Sequence, residues 1–261
     1  MEALGIDIGG TGIKGAPVDT TTGALLTERF RLRTPQPATP EAMTQTVAKV
    51  VEHFNWQGPV GAGFPAIIKH GEAHSAANID PSWIGRNVRS MFEDASGTTF
   101  TVLNDADVAG MAEMRFGAGR GRSGVVLVLT LGTGIGTALF TDGHLVPNTE
   151  FGHIEIDGKL AESRAADSAR EREELSWKKW ARRLDRYLDR LAFYLSPELI
   201  IIGGGVSKKH DKFLPLLEVD LEIEPAQLRN EAGIVGAAAA AAASTGQERP
   251  TVVGAAPELQ V

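Results

Sequence analysis

The chain has 261 residues, of which 43% are hydrophobic and 23% charged, and its net charge is −7. This composition excludes wholesale disorder and coiled-coil chains, and the negative charge argues against a general nucleic-acid-binding protein. The chain has no Cys, which excludes disulfides and thiolate-bound zinc. No apolar run has the length of a transmembrane helix and no signal peptide precedes the first strand, so we expect a cytoplasmic protein with no membrane partner.

The first predicted element is a hairpin with a glycine turn. Leu4 to Ile8 is an apolar strand that contains Asp7, and Gly9-Gly10-Thr11-Gly12 separates it from a run ending at Val18. Such a turn can present several backbone N–H groups to phosphate oxygens, although an ordinary tight hairpin is equally consistent. Asp7 would hold Mg²⁺ through water beside the phosphates, or would form a salt bridge. Lys14 would reach a phosphate or be solvated.

The segment after this hairpin predicts a helix, a strand and a loop. Glu41 to Phe54 is an amphipathic helix, and Val60 to Phe64 is a strand. Residues 67–87 have no clear period, which predicts a structured loop near a ligand. We expect Asn78 and Trp83 to lie in a loop that closes over the substrate, although a Trp packed beneath a loop is equally consistent.

A polar pair follows the next predicted strand. Phe100 to Leu103 delivers Asn104 and Asp105 to the start of a helix that runs from Ala106 to Phe116. In α/β proteins the carboxyl ends of strands commonly hold ligand-facing groups. Asn and Asp are also favoured helix N-caps, so capping is an alternative role.

A second glycine hairpin resembles the first. Val125 to Leu131 is a buried strand, Gly132-Thr133-Gly134-Ile135-Gly136 is the turn, and Thr137 to Phe140 resumes the chain in the opposite direction. The similarity suggests two related halves that each contribute one phosphate-facing turn. Glu150, His153 and Glu162 follow, and a polar set of this kind suits a ligand rich in hydroxyl groups.

The C-terminal third alternates helices and a strand. Leu175 to Leu195 is a long amphipathic helix, and Leu199 to Ile202 is a buried strand. Gly203-Gly204-Gly205 turns the chain into a further helical segment. Ile234 to Ala243 is an Ala-rich helix, and the residues from 244 onward predict a disordered tail.

Several of these segments together resemble the ROK family of sugar kinases and repressors. The resemblance covers nearly the whole chain, up to about Ala243. They are Gly5 to Gly15, Asn104-Asp105, Leu131 to Gly136, Glu150 to His153, and Gly203 to Ser207. Within that family, three further segments are similar to the short bacterial polyphosphate glucokinases: Val146 to Glu150, Ser176 to Ala181, and Asn230 to Gly236.

The resemblance implies an α/β fold of the actin-like ATPase (ribonuclease H-like) type, with two domains around a central cleft. Residues 1–104 would form a small N-terminal domain and residues 105–243 a large C-terminal domain. The last helix would pack back on the small domain, and residues 244–261 would be disordered.

The resemblance also implies an activity, namely phosphoryl transfer from inorganic polyphosphate or ATP to the 6-hydroxyl of glucose. The reaction would require Mg²⁺, and Asp105 would be the general base. The enzyme would be a homodimer. The implied sugar-binding residues are Asn78, Asn104, Asp105, Glu150, His153 and Glu162. The implied phosphate-binding residues are Asp7, Gly9, Gly10, Thr11, Gly12, Lys14, Gly132, Thr133, Gly134, Gly204 and Gly205. The alternatives are an ATP-only ROK kinase for another sugar, such as mannose or fructose, and a non-catalytic sugar-binding regulator.

The long helix has a basic polar side, formed by Lys178, Lys179, Arg182, Arg183, Arg186 and Arg190. A solvated face paired with Asp185 and Asp189 is the commoner explanation of such a run. A chain of negative net charge nevertheless needs a local positive surface to hold a long polyanion. We therefore expect this side, or Lys208 and Lys209, to contact polyphosphate.

Overall fold

The computed structural model describes residues 1–76 and 79–247. The strands of this part of the chain are β1 (Glu2–Gly9), β2 (Gly12–Asp19), β3 (Ala24–Leu25), β4 (Phe30–Leu32), β5 (Val60–Phe64), β6 (Ile68–Lys69), β7 (Glu72–Ala73), β8 (Phe100–Asn104), β9 (Val125–Leu131), β10 (Ile135–Thr141), β11 (His144–Val146), β12 (Glu155–Ile156), β13 (Lys159–Leu160), β14 (Leu199–Gly203) and β15 (Ile223–Pro225). The α-helices are α1 (Pro40–His53), α2 (Val88–Ser96), α3 (Asp105–Phe116), α4 (Glu162–Ala165), α5 (Asp167–Arg172), α6 (Trp177–Leu195) and α7 (Ala232–Ala242).

Two sheets with the same strand arrangement form the framework. The first has the order β3-β2-β1-β5-β8, with β4 also paired to β2, and the second has the order β11-β10-β9-β14-β15. In each sheet an antiparallel glycine hairpin is followed by two parallel pairings. The shared topology agrees with the two related halves that the repeated hairpin predicts.

Helices cover both faces of the first sheet. On one face, Met43 and Val47 of α1 and Phe92 of α2 pack against Ile6 and Val60 of the strands, and all five side chains are buried. On the other face, α7 contacts β1 and β5 directly. This close approach requires glycine, because a Cβ at Gly5 or Gly61 would collide with backbone carbonyl oxygens of α7.

The second sheet is covered in the same way. Trp180, Leu184 and Leu188 of α6 pack against Leu129 and Ile200 on one face. Helix α3 contacts the other face at β10 and also packs against α7. The site described below therefore lies where α3, α7 and the ends of both sheets meet.

The strands and helices whose limits the sequence predicts begin and end within two residues of those limits. Helix α6 begins at Trp177 because Ser176 caps it, its Oγ accepting a hydrogen bond from the Lys179 N–H at 3.4 Å. The predicted loop over residues 67–87 contains the short β6–β7 hairpin. No helix in the described ranges is both long and apolar enough to cross a membrane.

Two expectations need correction. Trp83 does not cover a substrate, because it is fully buried in the core against Phe64 and Phe92 and donates its Nε1 hydrogen to the Ala38 carbonyl at 3.0 Å. The prediction of a disordered tail from residue 244 is wrong for residues 244–247, because residues 243–247 form a last helical turn. Residues 248–261 lie outside the described residues.

Candidate active site

A cavity of about 220 Å³ lies between the two glycine hairpins, α3 and the start of α7. Several of its polar and glycine residues belong to the predicted site, namely Asp7, Lys14, Asp105, Gly204 and Gly205. Others were not predicted, namely Glu113, Thr130, Arg229, Asn230 and Gly233. The structure thus brings together residues from both ends of the chain.

Asp7 lies in β1, where its register partner on β2 is Lys14. The Lys14 Nζ donates to the Asp7 carboxylate at 3.1 Å, so the predicted salt bridge is present. The carboxylate also lies against Gly233, near the N-terminus of α7, where the helix dipole favours negative charge. These contacts stabilise a carboxylate that an apolar strand would otherwise make costly to bury.

The Asp7 site fits a hydrated Mg²⁺ ion. Mg²⁺ usually keeps several waters and is held by one or two carboxylates together with substrate phosphates. Within residues 1–76 and 79–247, no cluster of three or more His, Asp or Glu side chains could hold a metal ion by itself. Asp7, a hard oxygen donor that lines the cavity, would therefore hold an ion whose remaining ligands are water and donor phosphates.

Asp105 is the first residue of α3 and lines the same cavity. Burial, together with the nearby charges of Asp7 and Glu150, raises the pKa of its carboxyl to about 7, against a lowering hydrogen bond from the Ala106 N–H. Asp105 is thus a carboxylate that exchanges its proton near neutral pH.

Asn104 is the N-cap of α3. Its Oδ1 accepts hydrogen bonds from the backbone N–H groups of Ala106 at 2.8 Å and Asp107 at 3.2 Å. Its Nδ2 donates to the Ala66 carbonyl at 3.1 Å. The capping alternative is therefore confirmed, and the predicted contact of Asn104 with the sugar stays a prediction.

Glu150, His153 and Glu162 come together as predicted. His153 lies between the two glutamates, with Nδ1 3.5 Å from Glu150 and Nε2 3.5 Å from Glu162. Burial raises the pKa of Glu150, and the charge of Glu162 adds to this while His153 opposes it. Glu150 and Glu162 are half-buried and His153 is exposed, so the three side chains present an accessible set of hydrogen-bonding groups.

The predicted glycine turns occupy different positions relative to the cavity. Gly204, at φ +79°, lines it together with Gly205. Gly9, Gly10, Thr11 and Gly12 close the β1–β2 hairpin, and Gly132, Thr133 and Gly134 close the β9–β10 hairpin, without lining the cavity. Helix α5 holds the second turn, because Ser168 donates its N–H to Gly132 O and its Oγ hydrogen to Thr133 O. A phosphate role for these two turns stays a prediction.

Two of the unpredicted cavity residues, Arg229 and Asn230, lie in a loop that the buried carboxylate of Glu113 holds in place. Glu113 of α3 accepts backbone hydrogen bonds from Gln227 at 3.1 Å and Leu228 at 2.8 Å, which fixes the loop that presents Arg229 and Asn230. No local sequence pattern predicts these hydrogen bonds, since Glu113 is more than a hundred residues from the loop. Asn78, which was also predicted, lies outside the described residues.

Comparison with known proteins identifies the family. The family model described as ROK family matches residues 3–166, more than half of the chain. The chain belongs to the ROK family. The predicted actin-like α/β fold of ROK sugar kinases is confirmed by solved structures of this family.

Three kinases show what the chain is similar to. The inorganic polyphosphate/ATP-glucomannokinase from Arthrobacter sp. strain KM is 53% identical, with a TM-score of 0.89 over 93% of this chain and 99% of that one. A polyphosphate glucokinase from Mycobacterium tuberculosis is 51% identical over 243 residues, covering 93% of this chain and 92% of the relative. A ROK family glucokinase from Streptomyces griseus, solved with glucose and AMPPNP, is 26% identical, with a TM-score of 0.79 over 93% of this chain and 99% of that one.

Proposed function

We propose that the protein is a glucokinase that transfers the terminal phosphoryl group of inorganic polyphosphate, or of ATP, to the 6-hydroxyl of glucose. The observation that carries the proposal is the position of Asp105. It lines a cavity together with Asp7 and the Gly204–Gly205 turn, and the charge of Glu150, a member of the His153 cluster, helps to raise its pKa. A base between a phosphate site and a hydroxyl-binding site is what phosphoryl transfer to a sugar requires.

In this reaction Asp105 accepts the proton of the 6-hydroxyl as that oxygen attacks the terminal phosphorus. The bond between this phosphorus and the bridging oxygen breaks, and the bridging oxygen leaves with a donor that is one phosphate shorter. A pKa of about 7 suits this role, because a general base works best when its pKa lies near the operating pH. When bound, Mg²⁺ supplies positive charge that neutralises the phosphate oxygens.

The sugar would be held by the cluster of Glu150, His153 and Glu162. Carboxylates accept hydrogen bonds from hydroxyl groups, and Glu162 is itself oriented by the Ile135 N–H, which donates to its Oε2 at 3.3 Å. The cluster is therefore fixed to the β9–β10 hairpin. The name of the Arthrobacter relative includes mannose as well as glucose, so mannose is the second sugar to test.

The test is formation of glucose 6-phosphate by the purified protein with long-chain polyphosphate and, separately, with ATP. We expect product with both donors, with Mg²⁺ required and restored after removal by a chelator. Donor consumption without sugar would indicate a phosphatase instead. Absence of product with either donor, while glucose still binds in calorimetry, would favour the non-catalytic regulator.

The oligomeric state and the cellular location stay predictions. We expect a homodimer in the cytoplasm, which analytical ultracentrifugation and cell fractionation would test.

A further inference from the structure

The polar side of α6 forms a continuous basic stripe. At about 100° of rotation per residue, Lys179, Arg182, Arg183, Arg186 and Arg190 fall within an arc of about 100°. The side chains of Trp180, Leu184 and Leu188 point to the opposite, buried side. These five basic residues, called the basic stripe below, extend for about 16 Å along the helix at a rise of about 1.5 Å per residue.

The acidic residues of α6 do not neutralise the basic stripe. Asp185 is buried and accepts hydrogen bonds from the backbone N–H groups of Glu218 at 3.0 Å and Val219 at 3.3 Å, so it faces away from the stripe. Asp189 is exposed and forms no ion pair within the described ranges.

The ion pairs of the basic stripe come from other elements. Arg183 pairs with Glu173 at 2.6 Å and Arg186 pairs with Asp157 at 2.9 Å. In the part of the chain that the structure describes, the other three members, Lys179, Arg182 and Arg190, form no ion pair. The stripe therefore keeps a local positive charge on a protein of net charge −7.

A small cavity of about 30 Å³ adjoins the stripe. Arg164, Arg183 and Arg186 line it, together with Tyr187. The Tyr187 side chain is fully buried, and its hydroxyl has no hydrogen-bond partner among residues 1–76 and 79–247. A buried hydroxyl normally has a partner, and this volume suits a water molecule or one phosphoryl oxygen. The lining also includes the Asp157 carboxylate, which pairs with Arg186. Three guanidinium groups and one carboxylate leave the lining with a net positive charge, which favours an anion.

A series of contacts through α4 connects the stripe with the β9–β10 hairpin beside the active site. At the start of α4, Glu162 accepts a hydrogen bond from the Ile135 N–H at 3.3 Å. In the same helix, the Arg164 carbonyl accepts a hydrogen bond from the Arg183 guanidinium of the stripe at 3.4 Å.

We propose that the basic stripe binds the inorganic polyphosphate chain beyond the phosphates held in the catalytic cavity. The chain would leave the cavity near the β9–β10 turn, pass α4 at Arg164, and follow Arg182, Arg186 and Arg190. This rests on the proposed function, in which polyphosphate is a donor. ATP and tripolyphosphate are too short to occupy the cavity and the stripe at once, so the stripe distinguishes long donors from short ones.

The test replaces Arg182, Arg186 and Arg190 together by Gln and compares three donors: long-chain polyphosphate, tripolyphosphate and ATP. The matched control replaces three exposed basic residues of other elements, Arg29, Lys49 and Arg120, by Gln. Both triple variants change the net charge equally, so a general electrostatic effect would appear in both. A milder double variant, K179Q/R182Q, removes no ion pair of the described structure and serves if the triple variant folds poorly.

We expect the KM for long-chain polyphosphate to rise about tenfold in the stripe variant, and the slope of log KM against log salt to fall by about 2, since three phosphate contacts are lost. The KM values for ATP and tripolyphosphate, and kcat with each donor, should stay within about twofold. An equal rise for all donors, an equal rise in the control variant, or no rise would each overturn the proposal. If the unmodified protein makes no glucose 6-phosphate from polyphosphate, the proposed donor is wrong, whatever the variants do.

Discussion

Asn148 forms two hydrogen bonds with the backbone of Ile68. Its Oδ1 accepts from the Ile68 N–H at 2.8 Å, and its Nδ2 donates to the Ile68 carbonyl at 3.0 Å. Asn148 lies in the loop that leads from β11 to Glu150, whereas Ile68 begins β6, so one side chain joins the two halves of the chain. On its other side, the Asn148 N–H donates to the Asp107 carboxylate at 2.8 Å. The loop before Glu150 is therefore held from both directions.

Replacing Asn148 by Gly should weaken glucose binding more than donor binding. Asn148 has φ +60°, which Gly also adopts, so the variant removes the two hydrogen bonds without adding backbone strain. We expect the KM for glucose to rise several-fold and the free energy of unfolding to fall by about 1–3 kcal/mol, since each bond contributes about 0.5–1.5 kcal/mol. Steady-state kinetics and urea denaturation measure the two effects.

The control is Asn55→Gly, because Asn55 is an exposed Asn that also has a positive φ, of 46°. An unchanged KM for glucose in Asn148→Gly, or an equal change in the control, would mean that the Asn148–Ile68 contact does not position the sugar site.

Replacing Asp105 by Asn should remove the base and keep the shape. Asn is isosteric, and its side-chain oxygen can still accept the Ala106 N–H that Asp105 accepts at 2.9 Å. We expect kcat to fall by about 10²-fold or more, the size of a typical general-base contribution, while the glucose Kd from calorimetry changes little. Near-normal turnover would exclude Asp105 as the base.

Local patterns were sufficient to predict the elements that position the site. Both glycine hairpins follow from an apolar strand, a glycine turn and a second strand, and Asp105 follows from a strand that ends at the start of a helix. The order of the residues indicated that Glu150, His153 and Glu162 form one polar set, but β12 and β13 lie between His153 and Glu162, so spacing alone did not predict that the three side chains meet. The sugar-binding role of each residue was implied by the family resemblance.

The remaining features depend on contacts between distant parts of the chain. A Trp in an aperiodic segment is compatible with either a lid or a core residue, and only the packing of Trp83 on Phe64 and Phe92 decides for the core. Likewise, Arg229 has a positive φ of 50° and lies in a loop fixed by Glu113. Neither the backbone conformation of Arg229 nor the distant hydrogen-bond acceptor Glu113 leaves a local sequence signal.

Asp107 should make the protein's stability depend on pH. Burial raises the pKa of its carboxyl to about 6, and one of its oxygens is buried without a hydrogen-bond partner in the described residues. Between the unfolded pKa of about 4 and the folded value of about 6, the folded state retains a proton that the unfolded state has lost, so stability falls as the pH rises through this window.

The Asp107→Asn variant lacks this titration, and its amide oxygen can still accept the Asn148 N–H. From pH 4 to pH 7, its free energy of unfolding should therefore increase relative to the unmodified protein, by an amount on the order of 2–3 kcal/mol. Urea denaturation of both proteins at several pH values measures this difference. A difference that stays constant with pH would show that Asp107 is already ionised at pH 4 in the folded state.

Arg229 should bind the phosphates of every donor, in contrast to the basic stripe. It lines the cavity that contains Asp7 and Asp105, and Glu113 holds its loop in place. A charge-assisted hydrogen bond contributes about 1.5–3 kcal/mol, so Arg229→Gln should raise the KM for ATP, tripolyphosphate and long-chain polyphosphate about tenfold or more, and leave the KM for glucose nearly unchanged.

Arg229→Lys separates a loss of charge from a change in the loop, because it keeps the positive charge and the long aliphatic stem at the same backbone position. We expect it to restore a large part of the lost affinity for all three donors, since a Lys ammonium binds phosphate as a point charge. Arg120→Gln, an exposed arginine of another segment, controls for the change in net charge. If Arg229→Lys is as impaired as Arg229→Gln, or if glucose binding falls in parallel, then Arg229 shapes the loop and does not contact the donor.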